Sequence, residues 1–215
     1  MQRWDADAIV LSGADSRDDK IVRLLLETDE VIPAVVRFAR RAGKSSRGAK
    51  VQPLTTVHAL LRGKPAEDLA VLEEVAVEAP HAVVKGDLLR FALASTMAEV
   101  VLVLVPDWGR EEGVYALLAR ALAHLDDPAA KVGEELLLLF ELRMLDLGGV
   151  LPPLESLAEL SRSSREALEA WRSGRFSPLS PPDVRAVGRF LEQALAAASG
   201  RTLVSRAFLD QVLRG

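Results

Sequence analysis

The hydrophobic period of this chain changes once, at Pro80, and that change limits what the chain can fold into. Before Pro80, apolar residues fall into short β-branched or alternating blocks. After it, they recur every three or four positions. A period of two lines one face of a strand and a period near 3.6 lines one face of a helix, so neither pattern can serve the other. The expectation is an α+β chain, with a strand-built unit over residues 1–79 and an all-helical unit over residues 80–215.

Five strands are legible in the first unit. Ala8 to Leu11 is β-rich and meets the turn-forming Ser12 to Ser16. Lys20 to Leu26 stops at Glu27-Thr28-Asp29-Glu30, and Val31 to Phe38 follows as its hairpin partner. Residues 39 to 50 combine glycine, serine and positive charge without an apolar period, which reads as a loop. Leu54 to Leu61 and Leu69 to Val77 supply the last two strands. So many short strands in under 80 residues suit a small closed barrel.

In the second unit, His81 to Val105, Glu111 to His124 and Lys131 to Leu147 read as three helices, the third ending at a Gly148-Gly149 cap. Pro152-Pro153 opens a polar stretch with two short helices, Leu154 to Ser161 and Ser164 to Arg172. Ser180-Pro181-Pro182-Asp183 starts a helix that runs to Ala198 and stops at Gly200, with proline suited to its first turn. Ser205 to Leu213 is a final amphipathic helix. The longest apolar run, Phe91 to Val105, is shorter than the roughly 20 residues a bilayer-spanning helix needs and holds Glu99, so it reads as a buried helix. The opening MQRWDADA carries acids where a secretion signal has bases, which makes a cytoplasmic, non-membrane protein the expectation.

The formal net charge of −4 hides a strong segregation. Residues 1–30 carry a net −4 and residues 65–215 a net −8. Residues 31–64 carry +8 with no acid: Arg37, Arg40, Arg41, Lys44, Arg47, Lys50, Arg62 and Lys64. An acid-free cationic run in an acidic protein points to an anionic partner. Cations on a loop neutralise backbone phosphates and release condensed counterions, chemistry that tolerates loose geometry. Phe38 is the only aromatic between Trp4 and Phe91, so backbone tracking with little base readout is expected of these eight residues. A solvated loop is the plain alternative.

Catalysis finds no seat in the sequence. Ala42-Gly43-Lys44-Ser45 resembles the end of a phosphate-binding loop, but Phe38 stands where the pattern needs its first glycine. The paired acids Glu73-Glu74, Glu111-Glu112 and Glu134-Glu135 are adjacent in the chain and so point apart. His58, His81 and His124 have no second ligand at metal spacing, and the absence of cysteine excludes a cysteine-held zinc. The reading is of a protein that is not an enzyme and has no cofactor and no metal.

Over nearly its whole length the chain resembles the RecO recombination-mediator family. The resemblance rests on Lys20 to Leu26, on Val36 to Lys50 followed by Gln52-Pro53-Leu54-Thr55, on Leu139 to Val150, on Leu179-Ser180-Pro181-Pro182, and on Ser205 to Leu209. It implies an oligonucleotide-binding (OB-fold) barrel joined to a helical domain that binds single- and double-stranded DNA and anneals complementary strands. It also implies help in loading RecA onto strands coated by single-stranded-DNA-binding protein in the RecFOR pathway of DNA repair, with RecR as a partner and a location at the nucleoid. Many members carry a four-cysteine zinc module after the central helix; residues 151–179 here contain none, and helices take its place.

The same resemblance, together with local chemistry, suggests a seat for the acidic, apolar-ended tail of the single-stranded-DNA-binding protein. Such a tail needs an apolar pocket rimmed by cations, and Arg185, Arg189, Phe190, Arg201, Arg206 and Phe208 offer both. Two other readings stand beside the first. One is a diverged adaptor acting chiefly through protein contacts, which would not need the basic run; the other is a barrel-containing RNA binder, marked by a preference for RNA over matching DNA.

Overall fold

In the computed structural model, the described residues are 2–37, 47–63, 69–108, 112–154, 157 and 159–214, with the side chains of 106–108 left aside. Strands β1 (Gln2–Ser16), β2 (Asp19–Leu26), β3 (Val31–Val36), β4 (Thr56–Gly63) and β5 (Ala70–Ala79) close into a barrel in the order β1-β2-β3-β5-β4. All pairings are antiparallel except β3 with β5, where Ala34 and Val35 face Ala70 and Val71 in parallel. β4 returns to β1 with Asp7 opposite His58 and Arg3 opposite Arg62. Closure removes the free edges that would otherwise invite pairing with other chains, and the strand order is that of an OB-fold.

The alternation read from sequence explains the barrel interior. Ala8, Val10, Val22, Leu24, Val57, Leu61 and Leu72 point inward and are buried, while Asp5, Asp7, His58 and Arg62 point outward. Between β3 and β4 a one-turn helix, α1 (Arg47–Lys50), lies against β5 at the end of the stretch expected to be a loop, whose residues 39–46 lie outside the described ones.

The helical part comprises α2 (Ala82–Gly86), α3 (Leu88–Trp108), α4 (Val114–Asp126), α5 (Glu134–Leu147), α6 (Arg162–Arg172), α7 (Pro181–Ser199) and α8 (Val204–Arg214). The apolar run expected to be one helix from His81 is broken at Asp87. This residue is extended, at φ −120° and ψ 124°, and its carboxylate accepts the Arg90 N–H at 2.9 Å, opening α3. A window of α3, Leu88–Val105, is long and apolar enough to cross a membrane, yet 67% of it is buried inside the protein, as befits a central helix that others surround. The Leu154–Ser161 helix read from sequence includes residues outside those described; α6 starts at Arg162, with Ser161 as its N-cap accepting the Ser164 N–H at 3.0 Å. α7 has the expected Ser180 N-cap, proline in its first turn and Gly200 in the left-handed conformation, and Gly149 takes the left-handed cap after α5 at φ +64°.

The barrel and the helices share a core at one barrel end. Ile9, Leu11, Leu25 and Leu54 join the buried cluster built by α3, α4, α5 and α7. Polar contacts pin the same junction. Asp29, in the β2–β3 turn, accepts the N–H groups of Gly113 (2.9 Å) and Tyr115 (2.7 Å) and so caps α4 from the barrel side. His81 Nε2 lies 3.1 Å from Thr56 Oγ1, and Lys85 donates to Thr55 Oγ1 at 2.6 Å.

Candidate nucleic-acid interface

The eight cations singled out above divide into two sets. Arg40, Arg41, Lys44 and Lys64 lie outside the described residues. Arg37, Arg47, Lys50 and Arg62 lie within them, and the barrel places them individually. Arg37 leaves β3 exposed and, with Ser16, Arg17, Asp18 and Asp19 of the β1–β2 turn, lines a shallow hollow of about 380 Å³.

The other three touch the chain itself. From α1, Arg47 donates to the Glu73 carbonyl at 2.9 Å and Lys50 to the Val75 carbonyl at 3.1 Å, fastening the helix to β5. Arg62 on β4 meets the Glu73 carboxylate at 2.6 Å, and Arg3 on β1 meets its other oxygen at 2.7 Å. Burial pushes the Glu73 carboxyl up, but the hydrogen bonds and charges of Arg3 and Arg62 outweigh it and hold the group below its ordinary value. Lys20, on the neighbouring β2, donates to the Val51 carbonyl at 3.0 Å, and burial lowers its pKa against the opposing pull of Asp15. A lysine or arginine that makes one such bond keeps further N–H donors for an anion.

The outer surface of β1, β4 and β5 also carries an acidic patch, which charge counting along the chain did not show. Asp5 and Asp7 alternate outward on β1, beside His58 on β4 and Glu78 at the end of β5. His58 Nδ1 sits 2.6 Å from Asp7 Oδ1, and Nε2 sits 3.8 Å from Asp5. The hydrogen bond to Asp7 raises the His58 pKa above its ordinary value, in spite of partial desolvation. One donor atom from each of Asp7, His58 and Glu78 lies within 4.8 Å of the others, a grouping that could accept a divalent cation. Sequence spacing missed it because the three residues come from three strands. An acidic patch of this kind repels a phosphate backbone.

In the helical part, the six residues expected to seat a peptide tail do not form one group. Arg189 and Phe190 of α7 line a groove of about 500 Å³ with Pro152, Leu157, Leu160 and Ala186, and Glu159 adds one acid to its wall. Arg185, one turn earlier, and Arg201, beyond α7, are exposed. Phe208 packs edge-on to Phe91 with ring centroids 6.5 Å apart. Arg206 turns inward to Glu141, a buried acid of α5 that the sequence reading did not single out. It was hidden because it is one of several charged residues in α5 and its partner lies 65 residues away.

Comparison with known proteins agrees with this architecture. The family model described as "Recombination protein O N terminal" matches residues 1–80, the barrel, and "Recombination protein O C terminal" matches residues 85–175. A DNA repair protein RecO of Symbiobacterium thermophilum is 33% identical over 181 residues, covering 83% of this chain and 68% of that one. The RecO of Syntrophotalea carbinolica is 34% identical over 155 residues, covering 72% of this chain and 59% of its own length. That of Anaeromyxobacter dehalogenans is 29% identical over 222 residues, with 96% and 86% covered. On the barrel order, the helical part that follows it and these matches, the chain belongs to the RecO family of DNA repair proteins.

Proposed function

We propose that this protein is a recombination mediator that works without catalysis, binding single- and double-stranded DNA through its barrel and promoting the annealing of complementary strands. The observation that carries the reading is the acid-free run from residue 31 to 64, set on an OB-fold barrel. Arg37, Arg40, Arg41, Lys44, Arg47, Lys50, Arg62 and Lys64 hold two backbones near one another, lower their mutual repulsion and leave the bases free to pair. No nucleotide is consumed.

The division of labour follows the change of period, with a nucleic-acid-binding domain over residues 1–79 and a partner-binding helical domain over residues 80–215. The groove beside Arg189 and Phe190 suits the tail of the single-stranded-DNA-binding protein: Leu157, Leu160 and Phe190 take apolar side chains and Arg189 takes a carboxylate. With RecR, the protein then helps RecA onto coated strands at the nucleoid.

An annealing assay with complementary oligonucleotides, free or coated with single-stranded-DNA-binding protein, tests this directly. Acceleration on both substrates supports the reading. Unchanged rates on both favour the diverged adaptor, a reading to which the engagement of Arg47, Lys50 and Arg62 with their own chain lends weight.

A further inference from the structure

At the seam between barrel and helices lies a cleft of about 440 Å³, lined by Lys50 of α1, Gln52 and Thr55 of the segment before β4, Val77 of β5, and Lys85 and Gly86 of α2. None of the described residues lining it is acidic. This is notable because, outside residues 31–64, acids outnumber bases in this chain. Two acids lie near it, and the charge of Asp126 acts on Lys85. Glu78, next to Val77, joins Asp7 and His58 on the outer face, and Asp126 accepts the N–H groups of Val83 (2.9 Å) and Val84 (3.2 Å).

The two lysines are held in place while keeping spare donors. Lys85 spends one N–H on Thr55 Oγ1 at 2.6 Å, and Lys50 spends one on the Val75 carbonyl at 3.1 Å. An ammonium has three N–H groups, so each lysine retains two for an anion. Thr55 is buried and fixed in the barrel wall, so the Lys85 head is positioned before any ligand arrives. Burial also lowers the Lys85 pKa, with Asp126 opposing, and an incoming anion relieves that penalty.

We infer that this cleft holds a backbone phosphate of bound nucleic acid between Lys50 and Lys85, carrying the phosphate track from the basic run of the barrel onto the helical domain. The inference rests on the DNA-binding reading above and adds to it the first contact from beyond residue 80. A nucleic-acid backbone is favoured over an acidic peptide because Ala49 and Lys50 of the cleft belong, in the sequence, to the acid-free run of residues 31–64. Bound there, DNA would bridge the two parts of the chain.

The test is fluorescence anisotropy of a labelled oligonucleotide at several salt concentrations, with the full chain as wild type, Lys85→Gln and Gln52→Glu. Lys85→Gln keeps a donor for Thr55 and removes the charge. It should weaken binding about tenfold and make the log–log salt slope shallower by about one. Gln52 is exposed, so Gln52→Glu places a negative charge on the rim with little demand on folding, and it should weaken binding in the same direction. Wild-type binding with a normal salt slope, unchanged in both variants, overturns the cleft and leaves the DNA reading standing. Failure of the wild type to bind DNA overturns both. Displacement of the oligonucleotide by a glutamate-rich peptide in wild type but not in Lys85→Gln would assign the cleft to a protein partner and contradict the inference.

Discussion

Arg206 of α8 and Glu141 of α5 form an ion pair in which the glutamate is wholly buried and the arginine side chain is 11% exposed. One carboxylate oxygen, Glu141 Oε2, and the Arg206 Nε have no hydrogen-bond partner. The pair ties the last helix to the central bundle, beside the cap that Glu99 of α3 provides for the Val204 and Ser205 N–H groups at 2.9 and 2.7 Å. Breaking a buried pair by removing one partner strands a charge, whereas replacing both by apolar groups is often neutral. Arg206→Ala should therefore cost about 3–5 kcal/mol in urea unfolding. The double variant Arg206→Met, Glu141→Leu should recover most of that loss. A single variant as stable as wild type would show that the pair contributes nothing.

The same glutamate makes stability depend on pH. Burial pushes the Glu141 carboxyl from 4.5 up to about 7, against the opposing charge and hydrogen bond of Arg206. A group whose folded pKa is raised binds more protons in the native than in the unfolded chain between those values. Its contribution is thus fully present below pH 4.5 and declines as pH rises to about 7. The slope within that window approaches roughly 1.4 kcal/mol per pH unit. Glu141→Gln should flatten the profile between pH 5 and 7 in thermal melts, and an unchanged profile would place the titration elsewhere.

Asp29 joins the two parts of the chain at another point. It adopts a left-handed backbone at φ +68°, and its carboxylate caps α4 through Gly113 and Tyr115. Asp29→Ala loses the cap and retains the strained backbone, at a cost of about 2 kcal/mol. Asp29→Asn tolerates the conformation and keeps one acceptor, so its loss should be smaller. Equal losses in the two variants would argue against a capping role.

If the groove on α7 seats a peptide tail, Arg189→Glu should weaken a fluorescent acidic, apolar-ended peptide at least tenfold and leave oligonucleotide affinity unchanged. The triple variant Arg40→Ala, Arg41→Ala, Lys44→Ala should do the reverse. Peptide binding that is indifferent to Arg189→Glu would move the tail to another surface.

Much of this architecture is legible in the sequence because it is local. Ser180, Pro181 and Gly200 mark the ends of α7 by cap chemistry, and β-branched or alternating blocks mark the barrel strands, although Ser12–Ser16, which reads as a turn, continues β1. Less legible was whatever depends on register or distant partners. The break at Asp87 lies within an apolar stretch that continues on both sides, so periodicity alone runs through it. The Asp7, His58 and Glu78 cluster exists only once β1 pairs with β4 and β4 with β5. The cations of 31–64 are conspicuous as charge, but whether one reaches solvent or a carbonyl is set by the packing of α1 on β5. Lys85 drew no notice because a single lysine at a helix end becomes part of a site only when Thr55 and Lys50 are folded beside it.

Whether the proposed binding of nucleic acid runs through its phosphates is decided by measuring the affinity for one oligonucleotide across a salt series, and for a second of unrelated sequence at each salt. Each phosphate contact contributes roughly −0.7 to −0.9 to the log–log slope. Several contacts from the basic run predict a linear decline, with affinity falling by at least tenfold between about 50 and about 200 mM salt and nearly the same values for both sequences. A flat salt dependence, or a strong preference between the two sequences, would contradict the account.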